Sequence, residues 1–323
     1  TFVVKESEKF YVKKINIIGN NITEERVIRD LLEVDEGDPF NKLLHAKSIN
    51  NMKARNIFQE VNSKIIDTPD VNLKNIDITV EEKATGEVLV GAGVGSDGGT
   101  AQFSVSENNF LGKGVKLSTG LRVSEERIRG NFTVTNPNFN YSDKELSTDI
   151  FVSDIDRLND SGYESTNAGF SLGTAFEQYD DFFFRPTFRT VYEELTTNSA
   201  ASANLKKQEG SYFTTEVGYT LDLDKRNQRF QTSDGFQSKF IQRIPVISES
   251  NTLLNGYTFD TYHSFNDVTA SLGLYLRAVT GLSDDVRISE RVNIPRKRLR
   301  GFEPARIGPV SYTHLTLPTT WLV

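Results

Sequence analysis

The chain has 323 residues, with 44 Asp and Glu against 37 Lys and Arg, and only 37% of its residues are hydrophobic. This acidic balance argues against nucleic acid as a partner. The sequence contains no run of about 18 uninterrupted apolar residues, which a transmembrane helix would need. The lack of cysteine excludes disulfides and thiolate metal sites, and the length leaves room for a small domain beside a large sheet.

The first nine residues are expected to belong to another domain. Thr1 is followed at once by the strand-like run Phe2–Lys5, and no signal sequence precedes it. We therefore interpret residues 1–9 as the end of a preceding domain, and the chain as part of a longer protein.

Residues 10–83 have the pattern of a small domain that opens with a strand and two helices. Tyr11–Ile18 is a predicted strand that ends at the turn signal Gly19–Asn21. Thr23 is the predicted N-cap of a first helix, whose apolar face contains Val27, Ile28, Leu31 and Leu32. Asn41 is the predicted N-cap of a second helix, whose apolar side contains Leu43, Leu44, Ile49, Met52 and Phe58.

Two further strands complete this domain. Val61–Ile66 and Leu73–Val80 both have strand character, and the second alternates strictly between apolar and polar residues. The predicted order of elements over residues 10–83 is β-α-α-β-β, which is small but large enough to fold alone.

From Gly86 to Leu282 the chain falls into about eleven short segments in which apolar and polar residues alternate one by one. An Arg or Lys that faces lipid at mid-bilayer costs about 2–4 kcal/mol, so the phase of the charges tests the pattern. The charges keep to the polar phase at Lys116, Arg122, Arg129, Arg185, Arg189, Glu216, Asp222, Lys239 and Arg277. The alternation fails at Ser238 and Gln242, which fall on the apolar phase.

These segments predict an antiparallel transmembrane β-barrel over residues 84–310. A soluble antiparallel sandwich also alternates and is the alternative. The number of consecutive strands, their length near the 9–11 residues that a tilted strand needs, and the lack of helices among them favour the barrel.

The links between the segments differ in length on the two sides of the predicted sheet. One side has two short links followed by three longer ones: Ser96–Gly99, Ser124–Glu126, Asp154–Gly162, Thr196–Gly210 and Ser248–Gly256. Longer loops of outer-membrane barrels face outward, so residues 10–83 are expected on the periplasmic side.

Patterns typical of enzymes occur in the wrong context. Gly93–Gly98 fits a dinucleotide fingerprint and Gly169–Gly173 fits a nucleophile elbow, but both lie among alternating strands. The acidic pair Glu193–Glu194 is expected to be solvated at the rim. The sequence therefore predicts no enzyme, no cofactor and no metal site.

The first predicted strand is unusually rich in glycine. Gly91, Gly93 and Gly95 lie on one face of Glu87–Gly95, and glycine weakens a strand. Two interpretations remain open from the residues alone: a weak edge that could template another strand, or glycines that relieve crowding inside the lumen.

Several motifs together resemble a known family. The β-α-α-β-β domain resembles a POTRA domain, and the chain from about Val4 to Pro309 resembles the BamA family of outer-membrane assembly factors. The motifs that carry the resemblance are Val80–Gly86, Glu107–Gly114, Val134–Phe139, Arg298–Phe302 and Ile307–Pro309.

The resemblance implies a barrel of about sixteen strands, of which residues 84–310 supply the first eleven and an Arg-Gly-Phe loop. It implies assembly and insertion of β-barrel proteins into the bacterial outer membrane, with the POTRA domain in the periplasm. The implied partners are unfolded outer-membrane proteins, periplasmic assembly lipoproteins and outer-membrane lipid.

The resemblance also implies two sites. The lateral-gate strand comprises Val88, Leu89, Val90, Gly91, Ala92, Gly93, Val94 and Gly95. The lumen-loop motif comprises Arg300, Gly301 and Phe302, with the guanidinium anchored inside the barrel. An exposed Arg300 in a basic loop is the alternative.

Other functions remain open at this stage. A related POTRA-barrel transporter, of the two-partner-secretion or translocation-and-assembly type, would share these motifs, whereas a passive porin or receptor would lack the POTRA domain. A membrane-anchored hydrolase would need a catalytic domain upstream of Thr1. Residues 311–323 do not alternate and contain Pro318 and Trp321, so we expect a non-native tail there.

Overall fold

The structure is a computed structural model that describes residues 9–95, 98–159, 162–228, 231–249, 251–266, 268–283, 285–292 and 294. Within these residues the strands form two sheets, one of three strands and one of eleven. The helices of the described part are short, and none has the length and apolar composition that crossing a bilayer requires.

The smaller sheet belongs to an α/β domain with the predicted β-α-α-β-β order. Its elements are β1 (Tyr11–Ile18), α1 (Glu25–Arg29), α2 (Lys42–Ala54), β2 (Phe58–Asp67) and β3 (Leu73–Glu82). β3 lies in the centre, parallel to β1 and antiparallel to β2. A parallel pair requires a crossover connection, and the elements α1, α2 and β2 between β1 and β3 supply it.

The core of this domain lies between the sheet and the helices. Its fully buried side chains are Val12, Ile15, Ile28, Met52, Ile76 and Ile78. Val12 and Ile15 are three residues apart, and both point inward because the register of β1 shifts between Val12 and Lys14.

The start of α1 and the ends of both helices differ from the prediction, whereas the start of α2 agrees with it. Thr23 does not cap α1: the N-cap is Glu24, with no side-chain hydrogen bond, and the helix ends at Arg29, before Leu31 and Leu32. Asn41 does cap α2, since its side chain accepts from the backbone N–H groups of Leu43 and Leu44.

The predicted apolar side of α2 is wrong at both ends. Leu43 is 80% exposed, and Phe58 belongs to β2. The helix ends at Ala54, and Asn56 then adopts a left-handed conformation with φ of 59°. That conformation turns the chain out of the helix before Phe58.

The larger sheet confirms the predicted succession of eleven strands in the described part of the chain. Its strands pair in chain order, and the pairs from β8 to β14 are antiparallel. With 10 to 17 residues each, they reach the roughly 9–11 residues that a tilted membrane strand needs. They are β4 (Gly86–Gly95), β5 (Gly98–Phe110), β6 (Val115–Ser124), β7 (Arg127–Asn136), β8 (Glu145–Arg157), β9 (Tyr163–Tyr179), β10 (Phe182–Thr197), β11 (Gly210–Asp224), β12 (Gly235–Ser248), β13 (Thr252–Phe265) and β14 (Val268–Gly281).

The predicted difference in link length is only partly correct. The link at 198–209 is long and contains α3 (Ala203–Lys206), but the link predicted at Ser248–Gly256 shrinks to 249–251. β13 starts early because Leu253 and Leu254 pair with Thr280 and Val279 of β14. The opposite side has a long link of its own at 225–234, so link length alone separates the two sides poorly.

The chain divides into two compact units. The first contains the α/β domain with β4 up to Leu89, and also residues 104–119 and 134–143, which include the turns after β5 and β7. The second contains residues 90–103, 120–133 and the strands from Lys144 onward.

The separate core of the α/β domain predicts that residues 10–83 unfold as one cooperative unit. We expect Ile78→Ala to lower the free energy of unfolding by about 2–5 kcal/mol, because Ile78 is fully buried and its loss leaves a cavity. The matched control is Ile65→Ala on β2, which should cost under about 1 kcal/mol because Ile65 is exposed. Urea unfolding of residues 10–83 measures both, and equal losses would contradict the assigned core.

Candidate functional site

β4 forms one end of the eleven-stranded sheet. Among the described strands its only neighbour in that sheet is β5, and β14 lies at the opposite end. One edge of β4 therefore carries backbone N–H and C=O groups that no described strand pairs. Such an edge is a template for another strand.

Three valines on one face of β4 are exposed. Val90 and Val94 are 77% and 92% exposed, and Val88 is exposed as well. A Cβ placed on Gly91 or Gly93 would meet no described atom within 4 Å. Steric crowding by the described residues therefore does not require glycine at either position.

The base of β4 is fixed to the end of β5. The Thr85 hydroxyl donates to the Glu107 carboxylate, which also accepts from the Asn109 backbone N–H at 2.7 Å. The Asn108 backbone N–H donates to the Thr85 carbonyl at 3.4 Å. These contacts hold the start of β4, whereas the exposed valines lie further along the strand.

The turn after β5 packs against the loop that precedes α1, within the first unit. Asn109 is buried, donates from Nδ2 to the Thr23 hydroxyl at 2.9 Å and accepts from the Gly114 N–H at 2.8 Å. The Glu24 N–H donates to the Gly112 carbonyl at 2.9 Å. Gly112 has φ of 72°, and a Cβ there would collide with the carbonyl oxygen of Ile22, so the turn requires glycine.

Glu82 holds the same loop from the end of β3. Its carboxylate accepts from the backbone N–H groups of Asn21, Ile22 and Thr23 at 2.9, 2.9 and 2.6 Å. Burial of the carboxylate opposes its ionisation, but the hydrogen bonds from Thr23, Ile22 and Asn21 outweigh it, so the pKa of Glu82 lies below its ordinary value. Thr23 is thus a contact residue between the loop and Asn109, which explains why it does not cap α1.

Charged side chains collect on one face of the larger sheet, as the alternation predicts. Asp222 pairs with Arg185 at 2.7 Å and with Lys239 at 3.8 Å. Glu216 pairs with Arg189 at 3.1 Å and with Arg243 at 3.2 Å. These contacts bring together five of the nine charged residues that were predicted on the polar phase: Arg185, Arg189, Glu216, Asp222 and Lys239.

The two exceptions to the alternation have a structural explanation. Gln242 accepts from the Tyr219 hydroxyl at 2.9 Å and donates to the Asn255 side chain at 2.7 Å. Ser238 lies 3.1 Å from the Tyr257 hydroxyl. The polar groups on the apolar phase are therefore paired across strands. Polar groups that face hydrocarbon need such partners because no water is available there.

The charged face lines a cavity of about 760 Å³ in the second unit. Its lining includes Arg127, Asp149, Arg189, Glu216 and Arg287. In the described part of the chain no cluster of His, Asp or Glu side chains has the arrangement of a metal site. The arrangement supports charge pairing inside a sheet.

Sequence reasoning missed the pair Glu193 and Arg287. Glu193 was expected at the solvated rim, but it is buried on β10, and its Oε2 lies 3.3 Å from Nη1 of Arg287. A signal was available, because Glu193 keeps the phase of Arg185 and Arg189 on the same strand. The partner could not be identified from the sequence, since Arg287 follows β14. The predicted motif Arg300, Gly301 and Phe302 lies outside the described residues.

Comparison with protein families gives two matches. The model of the Omp85 superfamily domain matches residues 109–320, and the POTRA model, described as a surface antigen variable number repeat, matches residues 10–83.

Curated relatives are outer membrane protein assembly factors named BamA. The protein from Neorickettsia risticii is 24% identical over 319 residues, which is 96% of this chain and 42% of that protein. The protein from Neisseria meningitidis is 27% identical over 206 residues, which is 61% of this chain and 25% of that protein. The chain thus spans less than half the length of either relative.

Solved structures have the same fold. BamA from Haemophilus ducreyi lacking POTRA domains 1–3 superposes with a TM-score of 0.76 at 18% identity, over 94% of this chain and 62% of that chain. CdiB from Acinetobacter baumannii superposes with a TM-score of 0.54 at 12% identity, over 88% of this chain and 55% of that chain.

The contacts of Glu82 predict a pH-dependent stability of residues 10–83. Since the pKa of Glu82 in the folded state lies below its ordinary value of 4.5, its stabilising effect is present above pH 4.5 and is lost as the pH falls through the lower folded-state pKa. We expect Glu82→Gln to reduce the free energy of unfolding at pH 7 by about 1 kcal/mol, because the hydrogen bonds lose their charged acceptor.

Urea unfolding at pH 7 and at pH 3 measures this effect, and the difference between wild type and Glu82→Gln should shrink at pH 3. Glu81→Gln is the matched control, because Glu81 is the exposed neighbour on the same strand. A difference between wild type and Glu82→Gln that stays constant across this range would refute the role of the carboxylate.

Proposed function

The chain belongs to the Omp85 superfamily, and from this premise we propose that it assembles and inserts β-barrel proteins into the bacterial outer membrane. Membership of the family supports a general role in barrel assembly or secretion. The curated BamA relatives support the more specific role in assembly. The chain lies in the outer membrane with its POTRA domain in the periplasm, and it acts without covalent chemistry or a cofactor.

The observation that carries this proposal is the edge of β4 that no described strand pairs. A strand that offers free N–H and C=O groups recognises another strand through the main chain, without requiring a particular sequence. The lateral gate comprises Val88, Leu89, Val90, Gly91, Ala92, Gly93, Val94 and Gly95. Its glycines keep the pairing weak. A weak edge suits a gate because an incoming strand must displace whatever strand pairs there.

The POTRA domain receives the partners in this proposal. β2 lies at an edge of its sheet, so it too can add an extended segment of an unfolded outer-membrane protein or of an assembly lipoprotein. The match of residues 10–83 to the POTRA model argues against a passive porin or receptor. A related POTRA-barrel transporter is the second candidate, because the CdiB structure has the same fold.

The lumen loop completes the proposal. Arg300, Gly301 and Phe302 fold back into the barrel, where the planar guanidinium is anchored by hydrogen bonds or carboxylates. The support for this placement is the family membership together with the charged face of the larger sheet, which offers carboxylates such as Asp222 and Glu216.

The gate predicts a cross-link to substrate. In the full-length protein in cells, cysteine at Val90 should form a disulfide with a cysteine in the last strand of a barrel substrate. Val217→Cys is the matched control: Val217 is also exposed, but β11 has described neighbours on both sides. The gate assignment fails if Val88→Cys, Val90→Cys and Ala92→Cys all give no more cross-link than the control.

The lumen loop predicts a graded loss of function. Arg300→Ala in the full-length protein should lower barrel assembly without abolishing its own insertion, because the loop loses its anchor while the strands remain. Arg296→Ala in the same basic run is the control. Substrate levels in the outer membrane measure the effect, and unaltered assembly would refute the anchoring role.

A further inference from the structure

The segment that follows β14 packs back onto the strands β9, β10 and β11. Residues Ile288–Glu290 form a short 3-10 turn, and Arg287 just before them is only 5% exposed. A buried arginine at the start of a loop is unusual, because a guanidinium loses strong hydration unless charged partners replace the water.

Arg287 has two carboxylates and one aromatic ring around it. Its Nη2 donates to Oε1 of Glu290 at 2.7 Å, and its Nη1 lies at ion-pair distance, 3.3 Å, from Oε2 of Glu193. The guanidinium carbon lies 4.1 Å from the ring centre of Tyr212 on β11. Glu290 belongs to the same segment as Arg287, whereas Glu193 and Tyr212 belong to the strands.

Glu193 is itself held in place. Its other oxygen, Oε1, accepts from the Ser165 hydroxyl on β9 at 2.8 Å, and both side chains are buried. The carboxylate that pairs with Arg287 is therefore held between two neighbouring strands by a contact outside the segment.

The backbone and the next side chain of the segment are fixed as well. The Ile288 N–H donates to Oε1 of Gln208 at 2.9 Å. The Ile288 side chain packs against a small buried cluster of Tyr163, Leu195 and Leu205. The segment thus contacts β9, β10 and the link 198–209 through three kinds of interaction.

We propose that Arg287 and Glu193 form a clamp that holds the start of the loop after β14 on the wall of the barrel. Arg287 is a positioning residue: its contacts with Glu193 and Tyr212 fix where the segment after β14 lies on the sheet. The consequence for assembly rests on the proposed function, whereas the clamp itself rests on the contacts of Arg287.

Cleavage by trypsin can test the clamp. The sequence after it contains a run of trypsin sites at Arg296, Lys297, Arg298 and Arg300. In the full-length protein, purified and folded in detergent, Arg287→Ala should raise the rate of tryptic cleavage within this run by about fivefold or more, because cleavage follows the population of the released loop. Mass spectrometry identifies the cleaved bonds, and heat-modifiable mobility on gels verifies that the barrel is folded.

A double-mutant cycle separates the ion pair from general damage. Glu193→Gln alone should also speed cleavage, and adding it to Arg287→Ala should change the rate by less than about twofold, because both remove the same interaction. Glu193→Gln also serves if Arg287→Ala does not fold. Arg129→Ala is the matched control, since Arg129 lines the same cavity on β7, and its cleavage rate should equal that of wild type.

The clamp is overturned if folded Glu193→Gln and Arg287→Ala proteins are cleaved at the wild-type rate, or if the two effects multiply independently. Barrel assembly in cells is measured in parallel. Faster cleavage with unchanged assembly supports the clamp and counts against the proposed role of the lumen loop, so the two failures are distinguishable.

Discussion

Backbone N–H and C=O groups in hydrocarbon find no water, so every one of them must be paired within the protein. The larger sheet meets this constraint by pairing each strand with its neighbours in chain order, and alternation then gives each strand one apolar and one charged face. The same constraint applies at the two ends of the sheet. β4 and β14 each have one edge without a described partner, and Gly91 and Gly93 of β4 have no described side chain or backbone close to them. The proposed gate is thus at one of the two edges that the described strands leave unpaired.

The charged face obeys a related rule, because charges taken out of water need partners. Asp222 and Glu216 each contact two cations from neighbouring strands, and Glu193 binds a cation from a segment beyond β14. Pairs between strands hold the wall together, whereas the pair of Glu193 and Arg287 holds a loop against it. The same kind of interaction therefore supports the barrel in one place and positions a loop in another.

Much of the fold was predictable because it depends on local pattern. The bounds of β1 follow from its strand character and the turn signal after it, and the succession of eleven strands follows from alternation. The cap at Asn41 follows from its own side chain. The errors arose where contacts between residues far apart in the sequence determine the structure. The Thr23 hydroxyl accepts a hydrogen bond from Asn109, and its backbone N–H donates to Glu82. β13 begins early because β14 pairs with it. Glu193 had the correct phase for the inner face, but its partner comes from a segment that no local pattern connects to β10.

Hydrogen exchange of the full-length protein in a lipid nanodisc tests the central claim that β4 is a weakly paired edge. Amides of residues 88–95 should exchange faster than those of β11, which has a described neighbour on each side, and should become protected when an unfolded barrel substrate is added. Exchange of β4 as slow as that of β11, with no change on addition of substrate, would contradict the account.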